Sequence, residues 1–477
     1  MIKYNKTNPG ISGKLKNTKG GAQKTAVVLV ATLAIIIAIV LLPNSESFLH
    51  RLSNYNNIDN KGNSPSLSQN KDSNAADSKT AGDSAVDTQN SQTISQASSP
   101  EPNLTARAVI TSVGDIILHQ AVIDGGLQND GTYKYDYIFE YVNSFFTDSD
   151  YTIANYEGAL NGPPYSGYPA FGGPDAIATA LATAGVDMVT TANNHAFDKG
   201  LAGLKRTPEV FIKEGIEVIG TRTNAQDPKF KIVDINGIKI GITGYTYETI
   251  GTETSKALNG IILPQQAQEL VDSFNPLRPD HYAKDQAEMA SRIAAMKEAG
   301  AQCIVFVLHW GEEYKTVSNA KQKELAQFLS DQGVDVIFGH HPHVLQEISV
   351  VSSKISGKST LVYYSLGNFL ANMAFGTHGT NGYAQDAMIA KVTIDRDENG
   401  QIKVSKGEYI GTYVYSSKSG SKTIHKIIPV QTALITPELF GMQNRTGLIK
   451  DAQDRIDKVL SKSNGLQSGI LIQKYNN

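Results

Sequence analysis

A single cysteine, Cys303, in a chain of 477 residues excludes an intramolecular disulfide and any zinc site built on cysteine. An excess of positive charge is also missing. The 43 Lys and Arg face 46 Asp and Glu, a formal charge of -3, so the chain lacks the overall means to neutralise a phosphate backbone and no nucleic acid is expected as a partner. No Gly-x-x-x-x-Gly-Lys-Ser/Thr loop occurs, which assigns any ATP-driven step to another protein.

What is present is unevenly distributed. Residues 1–24 hold six lysines and no acidic residue, and Thr25 to Leu42 then runs 18 residues without a charge. At about 1.5 Å per residue that run reaches about 27 Å, close to the roughly 30 Å of a hydrocarbon core. The pattern reads as a cytoplasmic basic tail (1–24) and a transmembrane signal anchor (25–43). The alternative is a cleaved signal peptide, but the apolar run is longer than a usual signal core and Pro43-Asn44-Ser45-Glu46-Ser47 offers no Ala-x-Ala type of cleavage site. Lysines on the N-terminal flank hold that end in the cytoplasm, so the expectation is a single-pass cell-membrane protein with its C-terminal part outside and the lipid bilayer as a partner. Residues 44–103, dense in Ser, Asn, Gln and Asp and without apolar periodicity, read as a disordered linker.

From Leu104 onward the chain is mildly acidic, with 33 basic and 39 acidic residues. Apolar runs of strand length (Ala108 to Val113, Tyr151 to Ala154, Met188 to Thr191, Ile304 to Leu308, Val334 to Phe338) alternate with helical patterns (Asp175 to Ala184, Leu204 to Glu214, Lys284 to Ala299, Ala320 to Gln332). That alternation predicts an α/β fold. Phe230 to Tyr245, centred on Asn236-Gly237, predicts an antiparallel hairpin, so the sheets should be mixed. Residues 104–375 read as one domain, with 376–477 supplying C-terminal strands and a helix that complete or extend it.

Polar clusters follow the apolar strands, where loops converge at one sheet edge. They are Gly114-Asp115, Asn155-Tyr156-Glu157, Asn193-Asn194-His195 with Asp198, His309-Trp310-Gly311-Glu312-Glu313, and Gly339-His340-His341-Pro342-His343. Half of the ten histidines fall in three of these clusters, which favours a metal site over unrelated histidines. In an extended segment residues two apart share a side, so His341 and His343 are expected to present imidazoles to one centre, with His340 free to point away or to bind. Imidazoles with carboxylates and an amide oxygen suit Mn, Fe or Zn. Cys303, inside an apolar strand, reads as a core residue.

Taken together with Tyr364-Ser365-Leu366-Gly367-Asn368-Phe369, these motifs resemble the bacterial capsule synthesis protein family, the CapA-like proteins of poly-γ-glutamate biosynthesis, over roughly Arg107 to Asn372. The resemblance implies a calcineurin-like metallophosphoesterase fold: a four-layer sandwich of two packed mixed β-sheets flanked by helices, with two divalent metal ions at the strand ends. It also implies Asp115, Glu157, Asn194, His309, His341 and His343 as metal ligands, Glu157 bridging, and His195, oriented by Asp198, as the acid that protonates a leaving oxygen. Two departures from the phosphoesterase pattern stand out. Ile117 occupies the place of a histidine, with His119 the nearest substitute, and Glu157 replaces the usual bridging aspartate. They leave open a weaker site, a single metal, or a fold that has lost hydrolysis.

Around this set, Trp310 is expected to pack beside the site or stack on a substrate, Glu313 to support a metal-bound histidine or remain an exposed loop carboxylate, and Asn368 to cap a turn or touch substrate. Tyr165 and Tyr168 lie in a Pro/Gly-rich loop, Gly162 to Pro169, that reads as surface or as a flap. The resemblance implies a membrane-anchored extracellular protein acting on an anionic polymer beside membrane-bound synthase or export subunits. The alternatives are a surface hydrolase of phosphoesters or envelope polymer, and a metal-stabilised binding module without turnover.

Overall fold

The computed structural model describes residues 103–374 and 376–475. The basic tail, the expected membrane anchor and the linker up to residue 102 lie outside the described residues. Among the described residues no helix is long and apolar enough to cross a membrane.

Two large mixed sheets carry the fold. β1 (Leu104–Ile116), β2 (Tyr151–Tyr156), β3 (Met188–Thr190) and β4 (Glu217–Ile219) run parallel as neighbours in the first. The chain then builds the second from β5 (Lys231–Ile235), β6 (Ile238–Tyr247), β7 (Ser273–Phe274), β8 (Cys303–His309), β9 (Val336–His340), β10 (Ile348–Ser352) and β11 (Ser359–Tyr363). It returns to the first with β12 (Asn368–Leu370), β13 (Asp386–Asp397), β14 (Ile402–Ser419), β15 (Lys422–Pro429), β16 (Gly465–Gln467) and β17 (Ile470–Lys474). The first sheet has ten strands, ordered β16-β17-β14-β13-β1-β2-β3-β4 with β12 on β1 and β15 on β14. The second has seven, ordered β7-β6-β8-β9-β11-β10 with β5 on β6. β13 pairs antiparallel along β1 from Leu104 opposite Asp397 to Val113 opposite Ile389, so strands from beyond residue 375 share the sheet that carries the first motif.

Alternation along the strands sets the layers. Ala108 and Ile110 of β1, Ile240 and Ile242 of β6, Val305 and Val307 of β8 and Met388 and Ala390 of β13 join one buried cluster, which places the two inner sheet faces against each other. Residues of opposite orientation pack on helices. Ala154 and Val189 meet Ile177 and Leu181 of α1 (Ala176–Ala184) and Phe211 of α2 (Gly200–Lys213). Phe306 and Leu308 meet Met289 and Ile293 of α3 (Pro279–Glu298) and Leu325 and Leu329 of α4 (Ala320–Gln332). Coverage on both faces explains why Cys303 to His309 is buried throughout and reads as an unbroken apolar run.

Local signals fix the boundaries. A capping box between Asn319 and Gln322 opens α4, and Gly333 at φ 90° closes it. Asn236 and Gly237, at φ 54° and 81°, form the turn that the hairpin requires. The last helix, α5 (Thr446–Leu460), is tied to the start of β13 by Arg455, whose Nε and Nη2 donate to Asp386 at 2.5 and 2.7 Å.

Gly114 lets the end of β1 approach the turn before β12. Asp115 N–H donates to the Gly367 carbonyl at 2.8 Å, and a Cβ on Gly114 would stand 2.1 Å from that same oxygen. The chains cross too closely there for any side chain. Gly114→Ala should therefore cost about 1–3 kcal/mol through overpacking, read as a lower unfolding midpoint; an unchanged midpoint would show that the crossing relaxes freely.

Candidate metal centre

Parallel strands deliver their C-terminal ends to the same edge, and the candidate residues sit there. Asp115 is the last residue but one of β1, Glu157 follows β2, Asn194 and His195 follow β3, His309 ends β8, and His340 ends β9 before His341 and His343. Asp115, Glu157, Asn194, His309, His341 and His343 are buried to within 4% exposure. The first sheet contributes the carboxylates and the amide, the second the imidazoles, so the centre forms where the two sheet edges meet.

Asp115 is the most heavily bonded of them. Its Oδ1 accepts from Asn155 Nδ2 at 2.8 Å and lies 3.0 Å from His340 Nδ1. Its Oδ2 accepts from the His341 N–H at 3.3 Å and lies 3.2 Å from His343 Nδ1. Burial alone would raise the Asp115 carboxyl, but hydrogen bonds from His340 and His343 outweigh it and hold the group well below the usual carboxylate range. His340 thus turns toward the centre.

Glu157 is the opposite case. Both of its carboxylate oxygens are buried without a hydrogen bond, while Oε1 stands 3.5 Å from His309 Nε2 and 3.7 Å from His343 Nε2. Against burial, the neighbouring His309 and His343 imidazoles lower its carboxyl below the ordinary value. A sealed carboxylate without donors calls for a cation.

The imidazoles meet that demand. His309 Nε2 lies 2.8 Å from Asn194 Oδ1, and its Nδ1 is buried and unpartnered, as is Nδ1 of His341. Burial, then the neighbouring His309 and His343, push His341 well below its ordinary value, which keeps it neutral and ready to ligate. Burial pulls His343 the same way, yet the Glu157 and Asp115 carboxylates prevail and raise it to about 9. In metal-free protein a proton on His343 supplies the positive charge that a bound cation would bring. Two wholly buried sets of ligand atoms lie within 4.8 Å of one another: Glu157, His309 and His341, and Asp115, Glu157 and His343. These residues fit a divalent cation, with Glu157 common to both sets.

The backbone route to this geometry differs from the expected extended segment. His341 and His343 have φ of 94° and 56°, left-handed values that non-glycine residues adopt at a cost of about 1–3 kcal/mol. A tight loop aims both rings, with His340 reaching Asp115 from the strand end. Asn368 explains how His343 is oriented. Its Nδ2 donates to the His343 and Ala384 carbonyls at 3.2 and 3.0 Å, which leaves Oδ1 to accept from His343 Nδ1 at 3.0 Å and turns Nε2 toward Glu157.

Beside the cluster opens a cavity of about 620 Å³, whose lining includes His119, Tyr168, Phe171, His195, Glu313 and His343. Asp198 Oδ2 lies 2.7 Å from His195 Nδ1 and also accepts from the Phe171 N–H at 2.7 Å, so it holds the ring with Nε2 away from Asp198. His119 belongs to neither ligand set. Its Nδ1 accepts from the Asn372 N–H at 3.2 Å, and burial lowers it to about 4. Trp310 is only 2% exposed, and its Nε1 donates to the Tyr364 carbonyl at 2.9 Å, so it is a packing residue. Tyr165 packs edge-on against Tyr133 outside the cavity, whereas Tyr168, 76% exposed, stands at the rim. Sequence reasoning does not single out Tyr247 at the end of β6, whose ring lies 4.6 Å from that of His341, or the role of Asn155. The position of Tyr247 after a hairpin strand is the available signal.

A larger cleft of about 1100 Å³, lined by Arg222, Lys256, Asp272 and Glu288 among others, shares no residue with this centre. Its cationic side chains are paired: Arg222 with Asp272, Lys256 with Glu248, and Lys229 with Glu288.

The candidate ligands all lie in the segment that matches one known family. The profile of the bacterial capsule synthesis protein PGA_cap matches residues 109–373, and the chain belongs to that family. It is 30% identical to the capsule biosynthesis protein CapA of Bacillus anthracis over 274 residues, 55% of this chain and 60% of that protein. It is 27% identical to the PGA biosynthesis protein CapA of Bacillus subtilis (strain 168) over 278 residues, 57% of this chain and 64% of that protein. The matched segment thus spans less than two thirds of either relative. Among solved structures, NAD nucleotidase (NadN) of Haemophilus influenzae aligns with a TM-score of 0.37 and 14% identity, over 78% of this chain and 65% of that one.

Two predictions come from the neighbours of the centre. Replacing Asn368 with Ala frees the His343 ring and should weaken metal binding about 10–100-fold, measured by titration of the metal-free chain; wild-type affinity would remove its orienting role. The second concerns pH. His425, buried with Nε2 2.8 Å from Asn372 Oδ1, is lowered by burial to about 4 from the ordinary 6.5. The unfolded chain then takes up its proton first as pH falls, so the contribution of His425 is complete above about 6.5 and is lost toward 4. That loss is about 3 kcal/mol at most, and His425→Gln should flatten the fall in melting temperature between those pH values.

Proposed function

We infer that this protein is a membrane-anchored, extracellular member of the capsule synthesis family that acts in the making or export of poly-γ-glutamate or a related polymer through a divalent-metal site. The observation that carries this is Glu157, a sealed carboxylate without hydrogen bonds amid His309, His341, His343 and Asp115. The names of the two Bacillus relatives, one in capsule biosynthesis and one in PGA biosynthesis, support the polymer, and the lysine-flanked apolar run supports the anchor. Two mixed sheets between helices, with ligands at the strand ends, fit a calcineurin-like metallophosphoesterase architecture.

Asp115, Glu157, Asn194, His309, His341 and His343 would hold one or two ions of the Mn, Fe or Zn type. Bound there, such ions supply Lewis acidity toward a carbonyl or phosphoryl oxygen and lower the pKa of bound water. The chain's own groups do the rest: Asn368 orients His343, and His195, held at Nδ1 by Asp198, keeps Nε2 to exchange a proton with a leaving oxygen. That dyad favours a second reading, a surface hydrolase of a phosphoester or envelope polymer.

Metal content of the purified chain and polymer yield in cells test both. The double variant His341→Ala, His343→Ala should lose bound metal and polymer together; full yield without metal refutes a metal-dependent role. His195→Ala should keep its metal and lose turnover. Unchanged polymer yield and no turnover in the parent chain would identify a binding module instead.

A further inference from the structure

A third carboxylate approaches the cluster from solvent. Glu313 lies on the loop after β8 and lines the cavity, and one of its oxygens is within 4.8 Å of ring nitrogens of both His341 and His343. Unlike Asp115 and Glu157 it is exposed. Its loop is nonetheless fixed to the histidine loop on either side. The Trp310 N–H donates to the His340 carbonyl at 3.1 Å and the Tyr314 N–H to the Pro342 carbonyl at 2.7 Å. Tyr314 itself is held at φ 62°, a left-handed value that its Cβ disfavours.

The two inner ligand sets share Glu157 and so define two adjacent cation positions, one with His341 and the other with His343. Glu313 reaches a histidine of each. Resting on the metal-dependent reading of the centre, we propose that Glu313 is a further carboxylate ligand, spanning both cation positions from the solvent side. Charge balance favours it. Two divalent ions carry four positive charges, Asp115 and Glu157 offset half of them, and uncompensated charge in a sealed site is costly. The position nearer Asp115 needs it most, because both oxygens of Asp115 already have protein partners and His119, with Nδ1 tied to Asn372, joins neither inner set. Being exposed, Glu313 can also give way to an anionic ligand, which Glu157 cannot.

Titration of the full, metal-stripped chain with Mn²⁺ is the test. The parent should take up two ions. Glu313→Gln should keep one and bind the other about 10–100-fold more weakly, with the melting temperature of the metal-free chain unchanged, and Glu312→Gln should behave as the parent. If Glu313→Gln takes up two ions at parental affinity, Glu313 is no ligand and the metal-dependent reading stands. A parent chain that takes up a single ion overturns the two-position arrangement alone. One that takes up none overturns this assignment and the metal reading together.

Discussion

Glu157 sets the terms for the rest of the centre. A carboxylate carried to near-complete burial at the end of a parallel strand, with no donor for either oxygen, is stable only if positive charge is delivered to it. That charge comes from the other sheet, through His343. The contacts of Glu157 with His309 and of Asp115 with His340 therefore join the edges of the two sheets as well as forming the centre. Packing and chemistry share the same atoms, and a change that separates the sheets by about an ångström would uncouple both.

The way the imidazoles are held follows one pattern. Asn368 binds Nδ1 of His343 and Asp198 binds Nδ1 of His195, so each ring keeps Nε2 in reserve. Asn368 is fixed in turn by two backbone carbonyls, and Asp198 by the Phe171 N–H. Rings anchored through chains of hydrogen bonds lose little further freedom when they take a ligand, which is how a site on loops attains the precision of one on strands. The left-handed backbone at His341 and His343 has the same meaning: the strain is local, and the surrounding contacts determine it.

Much of the fold is legible in the sequence because its elements are bounded by strong signals. The helix over Ala320–Gln332 matches its pattern to the residue, since Asn319 caps it and Gly333 ends it. The helix over Gly200–Lys213 begins four residues before the expected Leu204, because its first turn carries little apolar periodicity. In the centre, the ligand candidates are legible from position alone, each following an apolar strand. His341 and His343 converge as expected but for a different cause, since the loop is left-handed where alternation along an extended chain predicts the convergence. Contacts made across long sequence separations stay hidden: nothing in the sequence links Asp115 to His340, 225 residues away, or Asn372 to both His119 and His425.

An acidic chain that handles a polyanion faces a repulsion problem, and the centre bears on it. The part from Leu104 onward has six more acidic than basic residues, and the large cleft that gathers several cationic groups has them paired with carboxylates. Attraction for a carboxylate or phosphate group must then come from somewhere other than fixed side-chain charge. On the proposed reading, cations at Glu157 reverse the local sign, and they do so beside a cavity walled in part by Phe171, an aromatic ring, and His119, which burial keeps neutral. A neutral wall next to a cationic floor leaves the polymer drawn to one point and unopposed along that side. The same chain without its cations presents two buried carboxylates and a protonated His343, a site with one net negative charge and little hold on an anion. Affinity for the polymer and occupancy by metal would thus rise and fall together, whether or not any bond is broken there.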